Sequence, residues 1–191
     1  MEILILGPQG SGKGTQAKRV AAEYGYVHIA TGDILREAVA EGTELGRRVQ
    51  PILEAGRLVD DELMIELIRA RLDEPDAAEG FVLDGFPRTP RQAEALDVML
   101  VEIGRPLVVI FEFLIADEVC IERLLNRARL EGRADDTPEA IARRLELYHE
   151  LTEPVVEHYR ATGKLVGIHA DRTEAEVFVE LQAALDRAGV A

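Results

Sequence analysis

The stretch "GPQGSGKGTQ" (7–16) follows directly on the apolar run "EILIL" (2–6) and holds four glycines, one lysine and no bulky apolar side chain. Such a segment cannot pack a core, but it can wrap a ligand. Glycine adopts positive φ without steric penalty, so successive N–H groups can converge on one point. A lysine at the mouth of a helix makes the wrapped object an anion. Gly7 to Lys13 fits G-x-x-x-x-G-K, set after a strand and before the helical stretch "GTQAKRVAAEYG", the context that distinguishes a phosphate loop from a chance glycine cluster. The common form has Ser or Thr directly after the lysine; here Gly14 intervenes and Thr15 follows. The spacing predicts that the backbone N–H groups of Gly10, Ser11, Gly12, Lys13, Gly14 and Thr15 cradle phosphates, with Lys13 on the β- and γ-oxygens. The competing reading is a glycine-rich turn for close helix–strand packing, which leaves the lysine unexplained.

"FVLDGFPR" (81–88) is the second candidate. Asp84 ends an apolar run, where a carboxylate can hold a magnesium ion, in part through water. An isolated Asp-Gly would read as a plain turn; a phosphate loop on another strand of the same sheet favours the metal. Arg88 follows a Gly-Phe-Pro turn that gives its side chain a defined direction. Arginines supply the rest of the local positive charge. Arg123 and Arg127 stand four apart on one helix face, Arg133 lies in a short charged segment, and Arg144 on the helix after it. Singly, each reads as a solvated surface charge; four together, leading into a loop that could close, suit a polyanion.

Positioning these groups takes an α/β fold. Continuous apolar runs at 2–6, 26–30 ("YVHIA"), 81–84, 106–115 ("PLVVIFEFLI") and 164–169 ("KLVGIH") predict five parallel strands buried on both faces, alternating with amphipathic helices. Thr89-Pro90-Arg91-Gln92, Thr137-Pro138 and Thr173 with Glu176 mark helix starts. Pro154 predicts a break in the helical stretch around it. The roughly 50 helical residues between the second and third strands exceed what one crossover needs, so a small helical insertion is expected there.

Composition narrows the function classes. The net charge of −14 argues against nucleic-acid and acidic-membrane partners. Only three lysines are present, one of them Lys13, and arginine is the better fork for bidentate phosphate contacts. Cys120 is the single cysteine, which predicts a buried inert thiol and neither a disulfide nor a cysteine-rich zinc site. Met1 runs almost at once into a short strand, so a cytoplasmic protein with no secretory leader or membrane helix is expected. Length suits one core domain, and no exposed apolar stripe calls for a partner, so a monomer is expected.

"GPQGSGKGTQ", "TGDILR", "GRLV", "DGFPRTPRQ" and "GRADDTPEAIARRL" stand in the order and spacing of the adenylate kinases, and the resemblance covers essentially the whole chain. It implies a P-loop NTPase-type five-stranded parallel sheet flanked by helices. The core would comprise 1–29, 60–126 and 137–191, with a helical NMP-binding insertion at 30–59 and a short lid at 127–136. The implied reaction is reversible phosphoryl transfer from ATP to AMP, giving two ADP. Gly10 to Thr15 would hold ATP phosphates, Arg123 and Arg127 would contact ATP from the lid hinge, and Arg172 would reach the adenine through its backbone. Thr31, Arg36, Arg57, Leu58, Val59, Gly85, Phe86, Pro87, Arg88 and Gln92 would form the AMP site, with Arg133 and Arg144 swinging in. Mg2+ would travel with ATP, held by Asp84, Asp33 and Thr15 through water; no zinc is implied, since the long cysteine-bearing lid is absent. Lys13, Arg88, Arg123, Arg127, Arg133 and Arg144 would form the charge clamp of the transfer.

Two residues depart from the family pattern: Gln9 replaces a small residue or proline, and Asp60 stands where proline is common. The related UMP/CMP kinases tend to have an asparagine after "DGFPR" and an alanine at the place of Thr31, so the adenylate reading leads. A nucleotide-dependent switch without turnover is the reading from another class, and the guanine-reading "NKxD" motif it would want for guanine is absent.

Overall fold

The computed structural model describes residues 1–133 and 135–189. Its centre is β1 (Glu2–Leu6), in which four successive apolar side chains, Ile3, Leu4, Ile5 and Leu6, are each no more than 3% exposed. A strand alternates its side chains between faces, so this run demands cover on both. Leu4 and Leu6 enter one core with Leu83, Phe86, Leu96 and Tyr159; Ile3 and Ile5 enter another with Ala17, Val20, Phe178 and Leu181. Burying each such side chain contributes about 1.5–3 kcal/mol, which makes β1 the anchor of the sheet.

The strands β1, β2 (Val27–Ala30), β3 (Phe81–Asp84), β4 (Val109–Leu114) and β5 (Leu165–His169) pair in the order β2-β3-β1-β4-β5, all parallel. The second core is covered by α1 (Lys13–Tyr24) and α9 (Glu174–Arg187). The first is covered from α4 (Asp61–Leu72), α5 (Pro90–Glu102) and α8 (Glu153–Arg160). A third, small core joins α6 (Asp117–Glu131) to α7 (Pro138–Leu147) through Cys120, Leu124, Ile141 and Leu145. Cys120 is fully buried, and burial raises its pKa to about 11, so the thiol stays protonated at neutral pH. The edge strands correct the expectation of double burial. In β2 only Ile29 is buried, and in β5 only Ile168, because each has one sheet neighbour and incomplete cover.

The expected helical excursion is present as α2 (Thr31–Ala40) and α3 (Glu44–Glu54), followed by α4. α2 and α3 meet backbone to backbone at Gly46, where a Cβ would stand 1.9 Å from the Ala38 carbonyl oxygen. Asp60 caps α4, its Oδ1 accepting from the backbone N–H of Glu62 and Leu63 at 3.1 and 3.3 Å, which accounts for its place ahead of the helix. Thr137 caps α7, and Thr173 with Glu176 closes a full capping box on α9. The break expected near Pro154 takes the form of a π-helical turn over Tyr148–Thr152, after which Pro154 sits in the first turn of α8. His149 joins this turn to α6, with Nε2 at 2.8 Å from Asp117 and Nδ1 at 2.6 Å from Glu153. His158 pairs with Asp97. Among the described residues no helix is long and apolar enough to cross a membrane.

Candidate active site

Every strand runs the same way, so the loops leaving their carboxyl ends collect on one side of the sheet. That is where open parallel sheets bind ligands. Leu6 of β1 leads into the glycine loop, Ala30 of β2 into Thr31, Asp84 of β3 into Gly85 and Arg88, and His169 of β5 into Ala170–Arg172. Together with α6 and α7 they enclose a cleft of about 720 Å³. All the expected site residues line it except one: Gly10 to Thr15, Thr31, Asp33, Arg36, Arg57 to Val59, Asp84, Gly85, Pro87, Arg88, Gln92, Arg123, Arg127, Arg133, Arg144 and Arg172. Phe86 is the correction. It is 1% exposed and packs into the core under the cleft, since a buried strand has just ended and its ring completes the apolar layer.

The glycine loop is held from behind. Gly10 has φ +84°, and a Cβ there would stand 2.6 Å from the Cys120 carbonyl oxygen and 2.9 Å from Leu124. Only glycine allows that backbone to lie so close to α6. Lys13 turns back over the loop and donates to the Pro8 carbonyl at 2.8 Å. The surrounding protein strips water from its ammonium and lowers the pKa to about 8, although Asp84 works in the opposite direction. The Lys13 charge is therefore present below about pH 8 and lost as pH rises through it. We expect kcat/KM for ATP, which reports the free protein, to fall along a limb centred near pH 8, and the limb to vanish in Lys13→Arg. A flat profile to about pH 9.5 in the unaltered protein would contradict this.

Asp84 sits beneath the loop. Burial pushes its carboxyl up, but His28 and Lys13 outweigh that and hold it below the ordinary range, so it is ionised at neutral pH. His28 Nε2 lies 3.8 Å from Asp84 Oδ2, beyond hydrogen-bond reach. Asp33 is drawn instead to Lys18 at 3.4 Å and Arg36 at 2.5 Å, and Thr15 is exposed at the start of α1. A magnesium ion keeps several waters and needs one or two carboxylates, which fits Asp84 better than the cation-paired Asp33. No group of three His, Cys, Asp or Glu side chains suited to a metal occurs among the described residues.

On the other wall, Arg88 is fixed by its neighbours. Its Nε donates to the Gly85 carbonyl at 2.8 Å, Thr152 Oγ1 donates to its carbonyl at 3.0 Å, and its N–H donates to Gln92 Oε1 at 2.7 Å. Burial lowers the pKa of its guanidinium, with Asp84 partly offsetting that. Gln92 is 2% exposed and its Nε2 donates to Asp61 at 2.8 Å, so the side chain expected to read a base also locks Arg88 to α4 and α5. Thr31 Oγ1 donates to the Gly85 carbonyl at 2.9 Å.

Arg127, Arg133 and Arg144 converge on two carboxylates. Arg127 forks onto Asp136 at 2.7 and 3.0 Å, Arg133 forks onto Asp135 at 2.8 and 3.1 Å, and Arg144 spans both at 2.7 and 2.9 Å. Burial raises the Asp135 pKa, but Arg133 and Arg144 outweigh it and hold the carboxyl far below its usual range. Arg144 also donates to the Leu53 carbonyl of α3 at 3.3 Å, and the backbone of Gly56 abuts Ala140 of α7, so the excursion and α7 touch across the cleft mouth. Arg123 rests on the carbonyls of Ala170 at 2.9 Å, Arg172 at 3.3 Å and Ser11 at 3.4 Å, tying α6 to two loops. The sequence reading missed Asp135, Asp136, Tyr148 and Thr152. The adjacent acids in "GRADD" between arginines were a visible signal; the π-turn that brings Tyr148 and Thr152 to the cleft was not.

A phosphate loop, a carboxylate beneath it and arginines on the facing walls make a socket for two polyanions. The sequence profile of the family described as "Adenylate kinase" matches residues 5–164. The chain belongs to the adenylate kinase family. It is 50% identical over 183 residues to an adenylate kinase of Thermus thermophilus, covering 96% of each chain. It is 46% identical over 186 residues to one from Maricaulis maris, covering 97% of this chain and 99% of the relative. An adenylate kinase of Stenotrophomonas maltophilia is 43% identical over 187 residues, with 96% and 100% covered. The all-parallel five-stranded sheet flanked by helices is the P-loop architecture expected of an adenylate kinase.

Proposed function

We propose that this protein is an ATP:AMP phosphotransferase, and that Lys13, Arg88, Arg123, Arg127, Arg133 and Arg144 hold the two nucleotides and the group that passes between them. The supporting observation is the cleft itself, which these six cations line together at the carboxyl ends of the strands. Phosphoryl transfer leaves little covalent work to a protein; in-line alignment and neutralisation of charge on the equatorial oxygens supply the rate. ATP phosphates lie in the cradle of Gly10 to Thr15, with the adenine near Arg123 and Arg172. AMP lies between the insertion at 30–59, against Thr31, Arg36, Arg57, Leu58 and Val59, and the loop after β3, against Gly85, Pro87, Arg88 and Gln92; the short lid at 127–136, of which residue 134 lies outside the described residues, closes over both. Closure excludes water, which would otherwise accept the phosphoryl group. When bound with ATP, Mg2+ neutralises phosphate charge, and Asp84 is the carboxylate placed to hold it through water. The products are two ADP. Acidic overall charge disfavours nucleic acid and acidic membranes as partners, while the cations gathered in the cleft favour nucleotides; the protein acts as a monomer in the cytoplasm.

The alternative acceptor is UMP or CMP. Gln92 retains one donor and one acceptor position beyond its bonds to Arg88 and Asp61, which suits the edge of adenine. Coupled assays with each monophosphate, MgATP held constant, are expected to give AMP a kcat/KM at least about tenfold above UMP and CMP, about 1.4 kcal/mol of discrimination. Faster turnover of CMP would reassign the acceptor; no ADP from ATP and AMP would end the reading.

A further inference from the structure

Gln9 brings a long polar side chain into a loop otherwise made of glycine, proline, serine and lysine, at a position where the family pattern has a small residue or proline. It lines the cleft, and its Oε1 is buried with no hydrogen-bond partner in the protein. Enclosing a carboxamide oxygen unpaired costs about 1–3 kcal/mol, so such an atom calls for a donor that reaches it when the cleft fills. The surroundings narrow that partner. The residue before Gln9 offers its carbonyl to the Lys13 ammonium, and the residue after it is pressed on Cys120 and Leu124. Gln9 thus stands between a residue bonded to the Lys13 ammonium and one closed against α6, with the cleft as its open side. Arg123, Arg127, Arg133 and Arg144 line the same cleft. Ser11 Oγ is also buried without a partner, but it lies under the loop, 3.4 Å from where a Cβ on Gly7 would stand.

We propose that Gln9 is a further catalytic residue. Its carboxamide N–H donates to an equatorial oxygen of the phosphoryl group in transfer, while Oε1 accepts from one of the converging guanidiniums. This inference rests on the phosphotransferase reading above. In that step the bond between the γ-phosphorus and the β,γ-bridging oxygen breaks, its electron pair leaving with ADP. A bond from an AMP phosphate oxygen to the same phosphorus forms, and total charge is unchanged. A carboxamide suits the position because it adds a hydrogen bond without adding another cation to a crowded pocket, and its two ends can exchange by rotation.

The test compares Gln9→Ala and Gln9→Glu with the unaltered full chain, using MgATP and AMP, and measures affinity for ATP and for the complex of ADP, AMP and fluoroaluminate. Gln9→Ala is expected to lower kcat on the order of 10- to 100-fold, below the loss for a sole oxyanion donor because several groups share this charge. Both KM values should stay within about twofold, and fluoroaluminate affinity should fall in parallel with kcat. Gln9→Glu, the same shape with a negative charge, should lose more than Gln9→Ala. A kcat for Gln9→Ala within about twofold of the unaltered protein would overturn the proposal. Equal losses in both variants, accompanied by weaker ATP binding and a lower Tm, would overturn it too, since loop packing would then explain the residue. If the unaltered protein makes no ADP, the phosphotransferase reading fails first and takes this one with it.

Discussion

Arg88→Ala is expected to lower kcat by two to three orders of magnitude while Tm and ATP affinity stay near those of the unaltered protein. The guanidinium is carried on a backbone that other residues hold: Gln92 takes its N–H, Thr152 takes its carbonyl, and Gln92 is itself fixed to Asp61. None of these bonds uses the Arg88 side chain, so truncation leaves them in place. What disappears is a pre-aimed charge whose side chain, among the described residues, makes one hydrogen bond, Nε to the Gly85 carbonyl. Removing one such donor from a water-excluded site costs about 2.7–4 kcal/mol of transition-state stabilisation, whereas a purely structural arginine would show its loss in Tm. Steady-state kinetics with thermal melts separate the two outcomes. Unchanged turnover would remove Arg88 from the charge clamp.

Gly46→Ala is expected to weaken the helical excursion and with it the acceptor site proposed there. In an exposed helix interior the same change would stabilise by about 1 kcal/mol. Here the new Cβ would meet the Ala38 carbonyl oxygen at 1.9 Å and its carbon at 2.4 Å, both backbone atoms that cannot rotate away. α2 and α3 would have to part by about an ångström, and overpacking of this kind costs about 1–3 kcal/mol. The overlap outweighs the propensity gain. Tm should fall by about 3–10 °C. Because α2 carries Thr31 and Arg36 and α3 leads to Arg57, KM for AMP should rise about tenfold while KM for ATP changes by less than about twofold. A Tm at or above that of the unaltered protein, with AMP kinetics intact, would show that the helix pair absorbs the methyl.

How far the sequence alone could be read differed by kind of residue. Runs such as "EILIL" and "FVLD" announced strands because burial on both faces leaves no polar alternation, and β1 and β3 appear at the expected limits. The outer strands read the same way yet are half exposed, since a local run carries no information about which strands end a sheet. The glycine loop was legible because its spacing is itself the mechanism. Phe86 was not, because nothing in "DGFPR" says which side chains turn down into the core. The aspartates under Arg127, Arg133 and Arg144 were missed for another reason: like charges and their partners alternate over many surface segments, and only the fold decides which pairs are enclosed. Gly46 gives no signal at all, for its cause is a carbonyl eight residues earlier on a different helix.

The pairing of Arg127, Arg133 and Arg144 with Asp135 and Asp136 has a consequence for turnover. The two carboxylates occupy the forks that phosphate would take, so on the reading proposed above an arriving nucleotide would have to share or displace them. Its grip is tempered by that rivalry. If the reaction runs in both directions as proposed, such a resident anion would ease the departure of ADP by reclaiming the arginines.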